Sequence, residues 1–389
     1  MELFSVLITC TIVLLGVFKR KSRTLSFILF LLLWILFAFE KTDMGDGDYE
    51  RYVRHYDNIA AGLPVVLEPL FILFSYIGNH FNLTFDTARS ILVFFELLLI
   101  YRTISYFTTS ISLVLSLFFI FPAFFDAELF RWFLAMSIII SGLPILIESS
   151  SFKGYAKFFL IILIASTAHS SALFFSFFLL MALKNNKSIY VFAISLSIIG
   201  VLSAQTGLLY KIIGYLPVST DLVADRYSYY SIGTIRSAFY FSFLLLLSFV
   251  VGYVSVVGKP IRKLPTSMGG FSHGCENKNL LVYLNGNRLL NKVMRLNAIS
   301  LCLLPIALYS AQGQRLLQVF LFINYLAIAI SCERFKTGIG PRLVISVIST
   351  ILILIWMVFF CSEGATVVFF SHFKTGYLIN FCNTCFGIQ

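Results

Sequence analysis

Thr24-Leu-Ser-Phe-Ile-Leu-Phe-Leu-Leu-Leu-Trp-Ile-Leu-Phe-Ala-Phe39 is an unbroken uncharged run, and Asp43-Met-Gly-Asp-Gly-Asp-Tyr-Glu-Arg-Tyr-Val-Arg-His-Tyr56 follows it almost at once. The second stretch carries Asp43, Asp46, Asp48, Glu50, Arg51, Arg54 and His55, in a chain where only 12% of residues are charged. The contrast between the two decides the fold. The first belongs in hydrocarbon, whereas the second must lie at a membrane face or line a wet cavity.

The same division extends along the 389 residues, which are 59% hydrophobic and 17% aromatic, with 43 Phe. A mean hydropathy of +0.91 leaves too little charge to cover a water-facing exterior. The apolar runs are continuous over about 17–25 residues and do not alternate over about ten, so helices are expected and a β-barrel is not. The expected fold is an all-α polytopic membrane domain over 1–389, with about 11–13 transmembrane helices, some broken or re-entrant, and short outer loops. The first run, Glu2 to Phe18, has no basic region before it and no small-residue cleavage site after it, and reads as a retained span.

Candidate spans are 2–18, 24–39, 64–81, 87–107, 110–126, 129–147, 157–168, 170–183, 188–204, 236–258, 292–311, 314–331 and 342–361. The pair 157–168 and 170–183 reads as half-helices meeting near Ala168-His169-Ser170. The net charge of +11 gathers in short connections, which places the clusters at Lys19–Arg23, Lys153–Lys157, Lys184–Lys187, Lys259–Lys263 and Arg334–Arg342 on the cytoplasmic side. That removes the argument for a nucleic-acid partner. Loops 40–63 and 205–235 then fall outside, and 259–279 reads as a cytoplasmic linker. Between 63 outside and Arg102 inside the chain must cross an odd number of times, yet two candidates lie there, with Glu68-Pro69 making 64–81 the less secure one.

Five groups exceed topology marking: the acidic–aromatic stretch 43–56; Asp126, Glu128 and Arg131; His169; Asp221, Asp225, Arg226, Tyr227, Tyr229 and Tyr230; and Gln312, Gln314 and Arg315. All are expected at one rim. Arg131 and Arg315 each fall near a helix N-terminus, the end that favours anions, so the helix dipole does not explain them. A guanidinium there suits a bound anion such as phosphate. The plainer readings are an Arg131 ion pair with Asp126 or Glu128, a polar kink at His169, and an interfacial Tyr belt at 226–230. Of the seven Cys only Cys382 and Cys385 lie close, as a single CxxC, short of the four ligands a structural zinc takes, so a local disulfide or free thiols are expected. P-loop, GxGxxG and HExxH motifs are absent from the sequence.

Gly45-Asp-Gly-Asp-Tyr-Glu-Arg-Tyr52 resembles the G-x-D-Y-x-x-Y loop of EpsG-like proteins, which belong with the Wzy-type O-antigen and capsule polysaccharide polymerases. Glu68-Pro-Leu-Phe71, Arg131-Trp-Phe-Leu-Ala135, Ala165-Ser-Thr-Ala-His-Ser-Ser-Ala-Leu173, Arg226-Tyr-Ser-Tyr-Tyr230 and Gln314-Arg-Leu-Leu-Gln-Val-Phe320 follow in the family's order, with Trp132 where Gln is usual. The resemblance implies a membrane glycosyltransferase of the bacterial inner membrane that polymerises undecaprenyl-pyrophosphate-linked oligosaccharide repeats at its outer face. It implies Arg131, Arg226 and Arg315 as a pyrophosphate clamp. Asp48 and His169, backed by Asp46 and Glu68, are implied as catalytic acceptors of the hydroxyl proton, and Tyr49, Tyr52 and Tyr230 as sugar-binding rings. No cofactor and no metal are expected; membrane lipid and a chain-length regulator protein are the further partners. The alternatives are a lipid-linked oligosaccharide flippase, whose charges belong near the midplane of a repeated bundle, and an O-antigen ligase with a larger outer loop.

Overall fold

The structure, a computed structural model, describes residues 2–39, 48–183, 185–206, 235–257, 273–305, 315–334 and 339–356. Among these residues all regular structure is helical, without strands, as an all-α membrane protein requires. Helices are numbered α1 (Glu2–Phe18), α2 (Arg23–Phe39), α3 (Asp48–Ala60), α4 (Pro69–His80), α5 (Phe85–Phe107), α6 (Ile111–Ile120), α7 (Ala123–Glu128), α8 (Phe130–Ser141), α9 (Leu143–Glu148) and α10 (Phe152–Ser166). After a 3₁₀ helix over Ser170–Ala182 come α11 (Asn186–Thr206), α12 (Ile235–Val256), α13 (His273–Ser300), a 3₁₀ turn over Leu301–Leu303, α14 (Leu316–Arg334) and α15 (Ile339–Trp356). Phe85–Phe107, Phe130–Glu148 and Leu316–Arg334 are each long and apolar enough to cross a membrane.

Helix α14 is the axis of the bundle. It is buried along its whole length except at Glu333, and packs on α6, α12, α13 and α15. A helix that is apolar on every face can only be satisfied in such a position. Its one mid-helix amide, Asn324, pairs reciprocally with Asn297 of α13 through two 3.0 Å hydrogen bonds and donates to Ser248 Oγ of α12 at 2.5 Å. A Cβ on Gly252 would run into Asn297, so glycine is what lets α12 approach closely enough for the pair to form. Buried amides in hydrocarbon need such partners, and each bond contributes about 0.6–2 kcal/mol there.

Several expected spans are redrawn. The run 110–126 is broken at Pro122 into α6 and α7, and 129–147 is broken at Gly142 into α8 and α9. Pro144 causes the second break, because it lacks an N–H and its ring collides with the carbonyl four residues back. The segments 157–168 and 170–183 are not half-helices meeting in mid-membrane. They are antiparallel neighbours: Tyr155 Oη, near the start of α10, donates to Met181 O at the end of the 3₁₀ helix at 3.0 Å. The turn containing His169 therefore lies at one end of the bundle. Thirteen residues reach across because a 3₁₀ helix rises about 2.0 Å per residue, or about 26 Å in all. Its buried side chains, Ala172, Phe175, Phe178 and Met181, recur every third residue, as three residues per turn demands.

The crossing ambiguity before Arg102 is resolved. Helix α4 has 12 residues, about 18 Å, too short to cross. Both its ends stay beside α3 and the start of α5: Phe71 packs 5.7 Å from Tyr52, and Tyr56 Oη donates to Leu83 O at 2.9 Å. Between residue 63 and Arg102, α5 is the one described helix long and apolar enough to cross. The expected outer loop 40–63 contains α3, and residues 273–279 of the expected linker 259–279 already belong to α13. Loop 205–235, apart from its ends, lies outside the described residues, as do Cys382 and Cys385.

The helices alternate between two ends. One holds described members of the positive clusters: Ser112 Oγ donates to Lys19 O at 3.1 Å, and Glu333 of α14 accepts from Thr108, Thr109 and Ser110 at the start of α6. There Arg288 reaches Glu148 at 3.2 Å, and Arg295 donates to Leu183 O. The opposite end gathers α3, α4, α7 and the starts of α5, α8, the 3₁₀ helix and α14.

Candidate active site

Four of the five polar groups singled out in the sequence have described members, and all of these meet at that second end. The centre is Arg131, on the first turn of α8. From α8, beyond the break after α7, Arg131 reaches across to α4. Its Nη1 makes an ion pair with Glu68, the N-cap residue of α4. The ion pair weighed with Asp126 or Glu128 is thus replaced by one 63 residues away in sequence. The guanidinium also lies 5.3 Å from the centroid of the Tyr52 ring, while its Nε is buried with no hydrogen-bond partner.

Tyr52 is the floor of the site. It is buried against Phe71 and Phe130, with Arg131 on its remaining side, so it supports the arginine and has no face open to a sugar. Burial raises its hydroxyl pKa, Asp48 adds to the rise, and Arg131 and Arg315 oppose it. Arg315, one residue before α14, thus acts on the same point as Arg131. It also faces Asp126, which is fully buried beside Gln318 although neither carboxylate oxygen reaches a hydrogen bond of ordinary geometry.

Gln318 ties this side to His169. Trp132 Nε1 donates to Gln318 Oε1 at 2.7 Å, and the Trp132 ring meets His169 edge-on at 5.7 Å. Trp132 serves as a buried spacer between α14 and the 3₁₀ helix. His169 is the N-cap of that helix: the Ser171 amide donates to Nδ1 at 3.3 Å, and Ser171 Oγ lies 2.7 Å from the same nitrogen. Because an amide can only donate, Nδ1 is unprotonated and the neutral ring carries its proton on Nε2. The site thereby gains a donor more readily than a base.

The remaining members sit around α3. Asp48 pairs with Arg51 one turn along, at the exposed edge. Tyr49 Oη donates to Asp86 Oδ1 at 2.6 Å, and Arg89 lies 5.8 Å from the Tyr49 ring while its Nη2 donates to Ala127 O at 2.7 Å. Asp46, Arg226 and Tyr230 lie outside the described residues, as do Gln312 and Gln314. Sequence reasoning passed over Asp86, Arg89, Gln318 and the chemical role of His55. The His55 pKa is lowered by burial and then by Arg131, Arg54 and Arg51, which holds its ring neutral at pH 7. Its Nδ1 is buried with no hydrogen-bond partner. A His at i+3 from Tyr52 on a polar helix was the available signal.

The arrangement brings two cations, a neutral imidazole with an unbonded nitrogen, and several carboxylates to one wet end of a membrane bundle. That combination suits an anionic leaving group and a hydroxyl nucleophile. No curated protein and no solved structure matches the chain. A family model does: residues 23–375 match the EpsG family, and the chain belongs to this family of polysaccharide-polymerase-like membrane proteins.

Proposed function

We propose that this chain is a membrane glycosyltransferase that polymerises undecaprenyl-pyrophosphate-linked oligosaccharide repeats at the outer face of the bacterial inner membrane, for O-antigen or capsule. The observation that carries the reading is Arg131: a guanidinium at a helix N-terminus, half neutralised by Glu68, with one buried donor unused. Arg131 and Arg315, with Arg226, clamp the lipid diphosphate. The acceptor hydroxyl attacks the anomeric carbon of the growing chain; the C–O bond to phosphate breaks, and the lipid diphosphate leaves as its charge is taken up by the arginines. The hydroxyl proton passes to a carboxylate or imidazole beside the clamp. Asp48, Asp46 and Glu68 remain in that role, and His55 joins them. The basis for His55 is its neutral ring next to Arg131. His169 Nε2–H fits better as a donor to phosphate oxygen. Tyr49 and Tyr230 are the rings proposed to meet sugar. The arginines supply the positive charge, so the proposed reaction needs no metal.

The gathering of charge at one end favours this reading over a flippase, whose substrate site belongs at the midplane. The test is glycan length in a deletion strain complemented with wild type, Arg131→Ala or Arg315→Ala at matched membrane levels. Wild type gives a ladder and each variant stops near a single repeat, a loss of about 100-fold or more. Loss of the single capped repeat overturns polymerisation in favour of transport or ligation, and an unchanged ladder removes both arginines from the clamp.

A further inference from the structure

A groove opens between α4, α5 and α8, a cavity of about 330 Å³. From α4 it is lined by Leu70, Leu73, Phe74 and Ile77, spaced i, i+3, i+4 and i+7, which is one helix face. From α5 it is lined by Ala88, Ile91, Leu92 and Phe95, with the same spacing. Leu134 of α8 lines it too. Two matched apolar stripes thus face each other, and their other lining groups, Gly78 and Leu83, add no polar side chain.

The groove begins near the level of the ion pair. Leu70 stands two residues after Glu68 on α4, and Leu134 three residues after Arg131 on α8, so each of these walls carries a member of the pair within a turn of the groove. Helix α4 packs on α3 beside the groove: Phe71 and Ser75 are buried, Phe71 against Tyr52, and at the groove's edge a Cβ on Gly78 would strike Tyr56. Leu73, Ile77, Ile91 and Phe95 remain about half exposed, so the groove is open along its side to the bilayer.

We propose that this groove holds the first isoprene units of a polyprenyl diphosphate, with the diphosphate on Arg131 and Arg315 at its mouth. The inference rests on the function proposed above and assigns the part of the site that grips the lipid. A single slot between two helices takes one chain, which fits a prenyl tail and not the paired acyl chains of a phospholipid. A doubly charged head likewise matches two arginines where a phospholipid offers one phosphate.

The test uses the full-length protein in detergent and a polyprenyl diphosphate without sugar, carrying a photoreactive diazirine on its second isoprene unit. Label is expected in the peptides 70–77 and 88–95, displaced by unlabelled polyprenyl diphosphate and not by phosphatidylglycerol. Leu73→Trp and Ile91→Trp, both at half-exposed positions that tolerate bulk, are expected to cut labelling about tenfold. Leu98→Trp, equally exposed on α5 but outside the groove, is expected to leave it unchanged. Labelling scattered over the lipid-facing surface, equal displacement by phosphatidylglycerol, or indifference to both groove variants overturns the proposal. The two readings fail separately. A labelled groove in a protein that makes no ladder sinks the polymerase and keeps the groove, whereas a ladder with label elsewhere does the reverse.

Discussion

Basic side chains half-buried or deeper are found at both ends of this bundle, but they answer to different partners. At the positive end Lys292 donates to Ile147 O at 2.7 Å, Arg295 to Met181 O and Leu183 O, and Arg342 to Val254 O and Val257 O. These carbonyls close the C-termini of α9, the 3₁₀ helix and α12, where positive charge complements both the orphan acceptors and the dipole. At the opposite end Arg131 and Arg315 sit at helix N-termini and face the carboxylates Glu68 and Asp126. A carbonyl cap is permanent architecture. Under the proposed reaction, a carboxylate counter-ion at a wet rim is a placeholder that a phosphate oxygen displaces.

The largest expected effect separates these two uses of charge. Replacing Arg131 and Glu68 together by Gln removes the pair without stranding a charge, so the protein accumulates normally, yet the glycan ladder falls by about 100-fold or more. A persisting ladder in that double variant would erase the distinction between the ends. At the positive end, the double variant Lys292→Ala and Arg295→Ala is expected to lose about 2 kcal/mol of stability, a few degrees in a thermal scan, while activity per folded molecule is unchanged. A selective loss of activity there would make the caps part of the mechanism.

Trp132→Phe, which deletes only the donor to Gln318, is expected to cost about 1 kcal/mol, read as a fall in activity of about tenfold or less. The smallest effect belongs to His55. Its folded pKa is lowered, so the unfolded chain binds the proton more readily and stability declines as pH drops below the ordinary value of about 6.5. His55→Asn removes that contribution, and melting temperatures followed from about pH 7 down to about pH 5 are expected to fall less steeply than in the parent.

Much of the fold was legible because hydrocarbon imposes one rule: apolar runs become helices. Depth was not legible. The run 64–81 has the composition of a crossing, and only the contacts of Tyr52 with Phe71 and of Tyr56 with Leu83 hold α4 at one end. Within the site, Arg131, Glu68, His169 and Arg315 could be named from motifs, but their pairing could not. Nearness in sequence argued for Asp126, whereas Arg131 reaches from α8, beyond the break after α7, across to Glu68. Arg89 escaped notice because a lone cation inside an apolar run carries no mark of the Ala127 carbonyl it will meet.

The 3₁₀ helix sets its own clock for mutation. In an α-helix the buried stripe drifts by a fraction of a residue each turn, so permissive and forbidden positions alternate between steps of three and four. Along Ser170–Ala182 the forbidden positions Ala172, Phe175, Phe178 and Met181 keep a step of three with no drift. One inserted residue would turn everything beyond it by a third of a revolution, and three would restore the facing while lengthening the segment by about 6 Å. Length variation among related chains is therefore expected in whole triplets at this segment.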